Sequence, residues 1–151
     1  MNTALKESSK RTLRVFLSYA VVDREYARKL RSLLSRYLNL HIFTPDMLSA
    51  GEDWLSRLKD EVSQCDIFLV LLSPDSVNSE WILSEIGAAW ALNKLIVPIV
   101  TQTGLSSEIP TVLRQFESLE MKYLEDHPEA IDQILRIYEE KSDSNRATEE
   151  I

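Results

Sequence analysis

Apolar residues in this chain fall in short dense runs, separated by longer stretches where they recur every third or fourth position. Leu13 to Tyr19 is such a run and predicts a first strand. Behind Asp23, a suitable helix cap, Tyr26, Leu30, Leu33, Leu34, Tyr37 and Leu38 keep a helical period, while Arg24, Arg28, Lys29 and Arg31 take the other face. That pattern predicts a helix through about Leu38. Leu40 to Phe43 predicts a short second strand, and Thr44 to Asp53 a loop punctuated by Pro45 and Gly51. Trp54 to Gln64 predicts a helix with Leu55, Leu58 and Val62 on one side. Ile67 to Leu72, wholly apolar, predicts a buried third strand. A helix over Trp81–Asn93, capped by Asn78 or Ser79, and a fourth strand, Leu95 to Val100, follow. Beyond the loop Thr101–Pro110 the pattern predicts a short helix over 111–118 and a fifth strand, Leu119 to Tyr123. A last helix opens at Asp126-His-Pro-Glu129 and carries Ile131, Ile134, Leu135 and Tyr138. Residues 1–12 are expected as a flexible lead and 141–151 as a disordered polar tail, leaving one domain over 13–140.

Strand and helix alternate, which argues an α/β fold with a parallel sheet and helices on both faces. Open sheets of this kind bind ligands just beyond the carboxyl ends of their strands. The helix after the third strand carries Trp81 and Glu85 four residues apart, so indole and carboxylate share a face. The same stripe holds Ala88, Ala89 and Leu92, an odd setting for a merely solvated acid. Glu80 lies about 100° round the helix from Trp81 and is expected to face water. Trp90 is expected in the core, and Trp81 suits either core or site. An acid beside a broad aromatic plane at such a mouth suits holding a nucleotide and acting on its sugar.

Composition narrows the chemistry. The 151 residues, 44% hydrophobic and 27% charged, suit one globular domain. Only three glycines are present and no phosphate-loop motif, so a Gly-rich nucleotide cradle is excluded. A net charge of −7 opposes nonspecific binding to nucleic acid or an anionic membrane. The single cysteine, Cys65, excludes an internal disulfide and reads as a small buried hydrophobe. His41 and His127 have no metal-ligand spacing, so no metal is expected. The polar N-terminus is no signal peptide and no apolar run reaches the length of a membrane span, so the expected compartment is the cytoplasm.

Taken in order, Val15-Phe-Leu-Ser-Tyr19 followed by Asp23, then Pro45-Asp-Met-Leu-Ser-Ala-Gly-Glu-Asp-Trp54, then Trp81-Ile-Leu-Ser-Glu85, resemble three motifs of the Toll/interleukin-1 receptor (TIR) domain family. They look like its first box, its second box (the BB loop) and the W-x-x-x-E pattern of members that cleave NAD. The resemblance spans roughly residues 13–140 and implies a flavodoxin-like three-layer fold around a mostly parallel five-stranded sheet. Three positions depart from receptor-type members: Arg14 before the first-box aromatics, Thr44-Pro45-Asp46 at the second box, and Leu119-Glu-Met-Lys-Tyr123 where a Phe-Trp pair is usual. These departures fit the divergent, bacterial-type members.

The resemblance implies an NAD glycohydrolase or cyclase that releases nicotinamide and forms ADP-ribose or a cyclic isomer, with NAD as substrate and no cofactor. Glu85 would be catalytic. Trp81, Ser18, Tyr19, Phe16, Asp46 and Trp54 would contact substrate. For Tyr19 simple packing competes with that role, and for Asp46 and Trp54 a surface turn and helix-start packing compete. Self-association through TIR–TIR contacts is implied, as is a separate effector that senses the product, as in bacterial anti-phage signalling. Two other functions stay open: a non-enzymatic TIR–TIR interaction module, and a nucleoside deoxyribosyltransferase-like enzyme, which also sets a glutamate against an N-glycosidic bond. A phosphoacceptor receiver domain is rejected, because Ser18-Tyr19 stands where its acidic pair is needed.

Overall fold

Ile67–Leu72 are all fully buried, and this strand forms the middle of the sheet, covered on both faces. In the computed structural model, which describes residues 12–48, 51, 53–103, 105 and 108–149, five strands pair in the order β2-β1-β3-β4-β5. They are β1 (Leu13–Ser18), β2 (Leu40–Phe43), β3 (Ile67–Leu72), β4 (Leu95–Val100) and β5 (Leu119–Glu120). Every pairing is parallel, so the expected mostly parallel sheet is parallel throughout. The register sets Ser18 beside Val70, and Val70 beside Pro98.

Helices α1 (Arg24–Leu34), α2 (Trp54–Gln64), α3 (Glu80–Ala91), α4 (Met121–Asp126) and α5 (Ile131–Glu149) cover the two faces. Strand residues alternate between these faces, which yields two cores. Phe16, Phe68 and Val70 pack with Leu58 and Val62 of α2 and Ile82 and Ile86 of α3. Val15, Leu17, Leu69 and Leu71 pack with Leu30 and Leu34 of α1 and Ile131 and Ile134 of α5. On the first face Arg14 of β1 meets Glu61 of α2 at 3.0 Å, and Arg57 meets the same carboxylate at 3.1 Å.

Several boundaries differ from the pattern. Strand β1 stops at Ser18, one residue early. Helix α1 ends at Leu34, since Ser35 and Tyr37 already turn the chain toward β2, and Leu38 is left 77% exposed. Strand β5 has two residues, and Met121–Asp126, expected partly as strand, is helical. The last helical segment is entered at His127, with Pro128 in its first turn, rather than at Asp126. Residues 141–149, expected as disordered tail, continue α5. The expected flexible lead lies outside the described residues, apart from Thr12. Ser79 caps α3, accepting from the Ile82 N–H at 3.4 Å. Asp23 does not cap α1 through its side chain.

Candidate functional site

The strand order reverses between β1 and β3, and in doubly wound sheets ligands settle at such a switch point. Ser18 is the last residue of β1 and is fully buried. It lies two residues beyond Phe16 and shares its face, the one covered by α2 and α3. Helix α3 starts eight residues after β3 and brings Glu85 over the same spot. The Ser18 hydroxyl donates to Glu85 Oε1 at 2.7 Å.

Glu85 is 7% exposed, and its second oxygen, Oε2, is buried without a partner among the described residues. Burial pushes the carboxyl pKa up to about 7, partly offset by the Ser18 hydrogen bond, which favours the charged form. An orphaned buried oxygen costs roughly 1–3 kcal/mol and calls for an explanation, such as a ligand that supplies the donor. Glu80, by contrast, is exposed, as its place on the helix predicts.

Trp81 lies one helical turn before Glu85 and is 39% exposed. Its ring centroid is 5.4 Å from that of Trp54 at the start of α2, with the planes tilted by 46°. Two half-exposed indoles thus stand together next to the buried acid, an aromatic wall able to take a flat heterocycle. Trp90, expected in the core, is 52% exposed on the outside of α3.

The other candidates divide. Phe16 is wholly buried, with Phe68 at 5.2 Å and Phe43 at 5.3 Å. It forms part of the core beneath the site, so any contact with substrate would need the core to open. Tyr19 follows Ser18 and takes the opposite face, where it packs against the α1–α5 core. The Tyr19 hydroxyl pKa is raised, first by burial and then by the Asp46 carboxylate beside it. Asp46 sits in a short 3-10 turn, Pro45–Met47, and accepts from the Thr44 hydroxyl. Tyr19 and Asp46 thus form a second pair at the rim, apart from Ser18 and Glu85.

A further polar cluster lies at the same end of the sheet. Ser73, just after β3, donates through its hydroxyl to Asp23 Oδ2 at 3.0 Å, and its N–H donates to Ser76 Oγ at 2.9 Å. Asp23, Ser73 and Ser76 are all buried. This cluster ties the loop after β1 to the loop after β3, fixing the two strand ends that frame the switch point. The sequence signal for it is a run of small polar residues directly after the most apolar strand.

The fold recurs in known structures. The TIR domain of the Toll-related receptor TRR-2 from Hydra magnipapillata superposes with a TM-score of 0.67 at 20% identity, covering 83% of this chain and 97% of that one. A TIR-STING receptor from C. gigas gives 0.63 at 23% identity, covering 84% of this chain and 43% of its own. The TIR domains of the activated Roq1 resistosome, which recognises the pathogen effector XopQ, give 0.52 at 19% identity over 85% of this chain and 80% of theirs. At such identities the likeness concerns the fold. No curated protein matches the chain. The family profile described as TIR domain matches residues 15–135, most of the sequence, and with the all-parallel sheet it establishes that this chain belongs to the TIR domain family.

Proposed function

We propose that this TIR domain cleaves the nicotinamide–ribose bond of NAD. The observation that carries the reading is the Glu85 carboxylate, buried at the switch point with Oε1 held by Ser18 and Oε2 free to accept a ribose hydroxyl. The reaction suits those parts. The C–N bond breaks with its electron pair going to the pyridine nitrogen, so nicotinamide departs neutral and needs no strong acid. Positive charge gathers on the sugar ring, where a desolvated carboxylate interacts far more strongly than it would in water. Water then attacks the anomeric carbon and releases a proton, giving ADP-ribose; attack by a nitrogen of the adenine gives a cyclic isomer. The Trp81–Trp54 wall would orient the departing ring, and Asp46 and Tyr19 at the rim would meet a more distant part of the dinucleotide. With a carboxyl pKa near 7, the cationic nicotinamide of the substrate would itself favour the ionised acid.

Self-association belongs to the same proposal, because Met47 within the second-box segment and Leu55 just after it are exposed apolar residues. In this reading the product is a cytoplasmic signal for a separate effector, as in bacterial anti-phage systems. Among the described residues no helix is long and apolar enough to cross a membrane.

Purified protein incubated with NAD across a concentration series is expected to release nicotinamide, with specific activity rising as the protein associates. Glu85→Gln keeps the shape and removes the charge, and should lose most of the activity. Undiminished release by that variant would overturn the catalytic reading. A chain with no turnover, whose biological activity survives Glu85→Gln but not changes at Asp46, Met47 or Leu48, would instead be an interaction module. Turnover of deoxynucleosides without turnover of NAD would mark the deoxyribosyltransferase-like alternative.

A further inference from the structure

A cavity of about 180 Å³ lies at the opposite end of the sheet from Glu85, where β3 and β4 begin. Its place follows from how α3 ends. Asn93 takes a left-handed backbone, with φ 57°. The Lys94 N–H bonds back to the Ala89 carbonyl, and the Asn93 N–H to that of Trp90, each at 3.0 Å. This closure turns the chain sharply from α3 into β4. It also sets Lys94 beside the end of α2, where its ammonium donates to the Ser63 and Cys65 carbonyls at 2.6 and 2.9 Å. Lys141 and Ser142 reach the same place because α5 continues past residue 140. The Lys141 ammonium donates to the Asn93 carbonyl at 3.2 Å. Its pKa is lowered first by burial and then by Lys94, so the two positive charges feel each other.

We propose that this cavity binds a small phosphate group, free or as a monoester, between Lys94 and Lys141. An ammonium carries three N–H donors. Lys94 spends two of them on carbonyls and Lys141 one, which leaves charged donors on both for the oxygens of an anion. The Asn93 carboxamide and the Ser142 hydroxyl line the same space, and neither makes a side-chain hydrogen bond among the described residues. A carboxylate offers two oxygens to these donors, whereas a phosphate monoester offers three. Asp66 is the acid in the lining, and both its oxygens are engaged. Oδ2 accepts from the Arg14 N–H at 2.8 Å and Oδ1 from the Tyr138 hydroxyl at 3.2 Å. Two lysines against one aspartate leave the lining positive, in a chain whose net charge is −7. Drug-sized ligands occupy about 300 Å³ or more, so the cavity is too small for a dinucleotide and suits a phosphate with few carbons. Strand β3 runs six residues, roughly 20 Å, from this cavity to the candidate site. The two sites are therefore separate, and the inference does not depend on whether Glu85 cleaves NAD. A bound phosphate joins α5 to the turn between α3 and β4 through two charge-assisted contacts.

Calorimetric titration of the full chain with inorganic phosphate, against chloride at matched ionic strength, is expected to show saturable binding of phosphate alone. Amide NMR signals of Asn93, Lys94 and Lys141 should shift while those of Ser18 and Glu85 stay in place, which separates this cavity from phosphate resting in the candidate site. Lys141→Gln removes one charge from a half-buried position and should weaken binding about tenfold or more. Ser142→Asp sets an acid among the donors and should weaken it similarly. Tighter binding of glycerol phosphate than of inorganic phosphate supports a monoester as the ligand, and the reverse supports the free ion. Three outcomes overturn the inference: no saturable binding at millimolar phosphate, shifts confined to the Ser18–Glu85 end, or undiminished binding by folded Lys141→Gln. If Lys141→Gln fails to fold, Ser142→Asp decides.

Discussion

Ser18 and Glu85, 67 positions apart in the chain, meet through a 2.7 Å hydrogen bond in which the serine donates. Burial raises the carboxyl pKa and this bond lowers it, so Ser18 is the residue that keeps Glu85 ionisable near neutrality. Ser18→Ala removes a hydrogen bond that favours the charged form. The pKa should rise further, and the acid limb of nicotinamide release should move to higher pH. A pH–rate profile that keeps its limb in place would show that the bond does not tune the acid.

Glu85 should weaken the fold at high pH while serving the reaction. Folded Glu85 holds its proton up to about pH 7, whereas the unfolded residue releases it near 4.5. Between those values the native state binds more protons, so stability falls as pH rises through the window and the deficit is complete above it. At about 1.4 kcal/mol per unit the deficit is roughly 3 kcal/mol. Glu85→Gln should therefore melt like the parent near pH 4.5 and clearly higher at pH 8. The same variant should lose about 100- to 1,000-fold or more in kcat. Equal melting temperatures at pH 8 would contradict the buried carboxylate with its raised pKa.

Trp54 and Trp81 form a pair that neither helix could build alone. Changing both to alanine, singly and together, should give a coupling of about 0.5–1.5 kcal/mol in a double-mutant cycle of stability. If the pair orients substrate, each single variant should also raise the KM for NAD. Additive losses in stability with no change in KM would reduce the pair to two separate surface residues.

Cys65 is 3% exposed and its thiol is pushed up to about 11, chiefly by burial. At pH 8 the native protein should therefore resist thiol reagents, and one cysteine should react on unfolding. Fast labelling of the folded chain would mean that the start of β3 opens readily. The silence of Cys65 also makes introduced cysteines easy to read.

Much of this molecule is visible in the residue pattern. Ile67–Leu72 and Leu95–Val100 are apolar at every position but Pro98, as strands covered on both faces must be, and both lie where expected. The Trp81–Glu85 spacing located the acid because helical geometry is regular. What stayed hidden depends on partners distant in sequence. Nothing local announces that Asp23 will accept from Ser73 instead of capping its own helix, or that Trp54 will stand against Trp81. Phe16 and Ser18 share one face of β1 and Tyr19 takes the other, yet the first is core and the second meets the acid. Strand alternation gives the faces but not the depth. Trp90 misled because apolar character was equated with burial, and α3 has apolar residues all round. Residues 141–149 are polar, but lysine, glutamate, alanine and arginine among them suit a helix well enough to prolong α5.

The lone oxygen on Glu85 carries an evolutionary implication. If the acid serves turnover, a descendant released from that task would gain heat resistance simply by trading it for glutamine or leucine. Selection for robustness would then erase the glutamate within few steps, so retired copies of this gene should be recognisable by what has replaced position 85 and by their higher melting points.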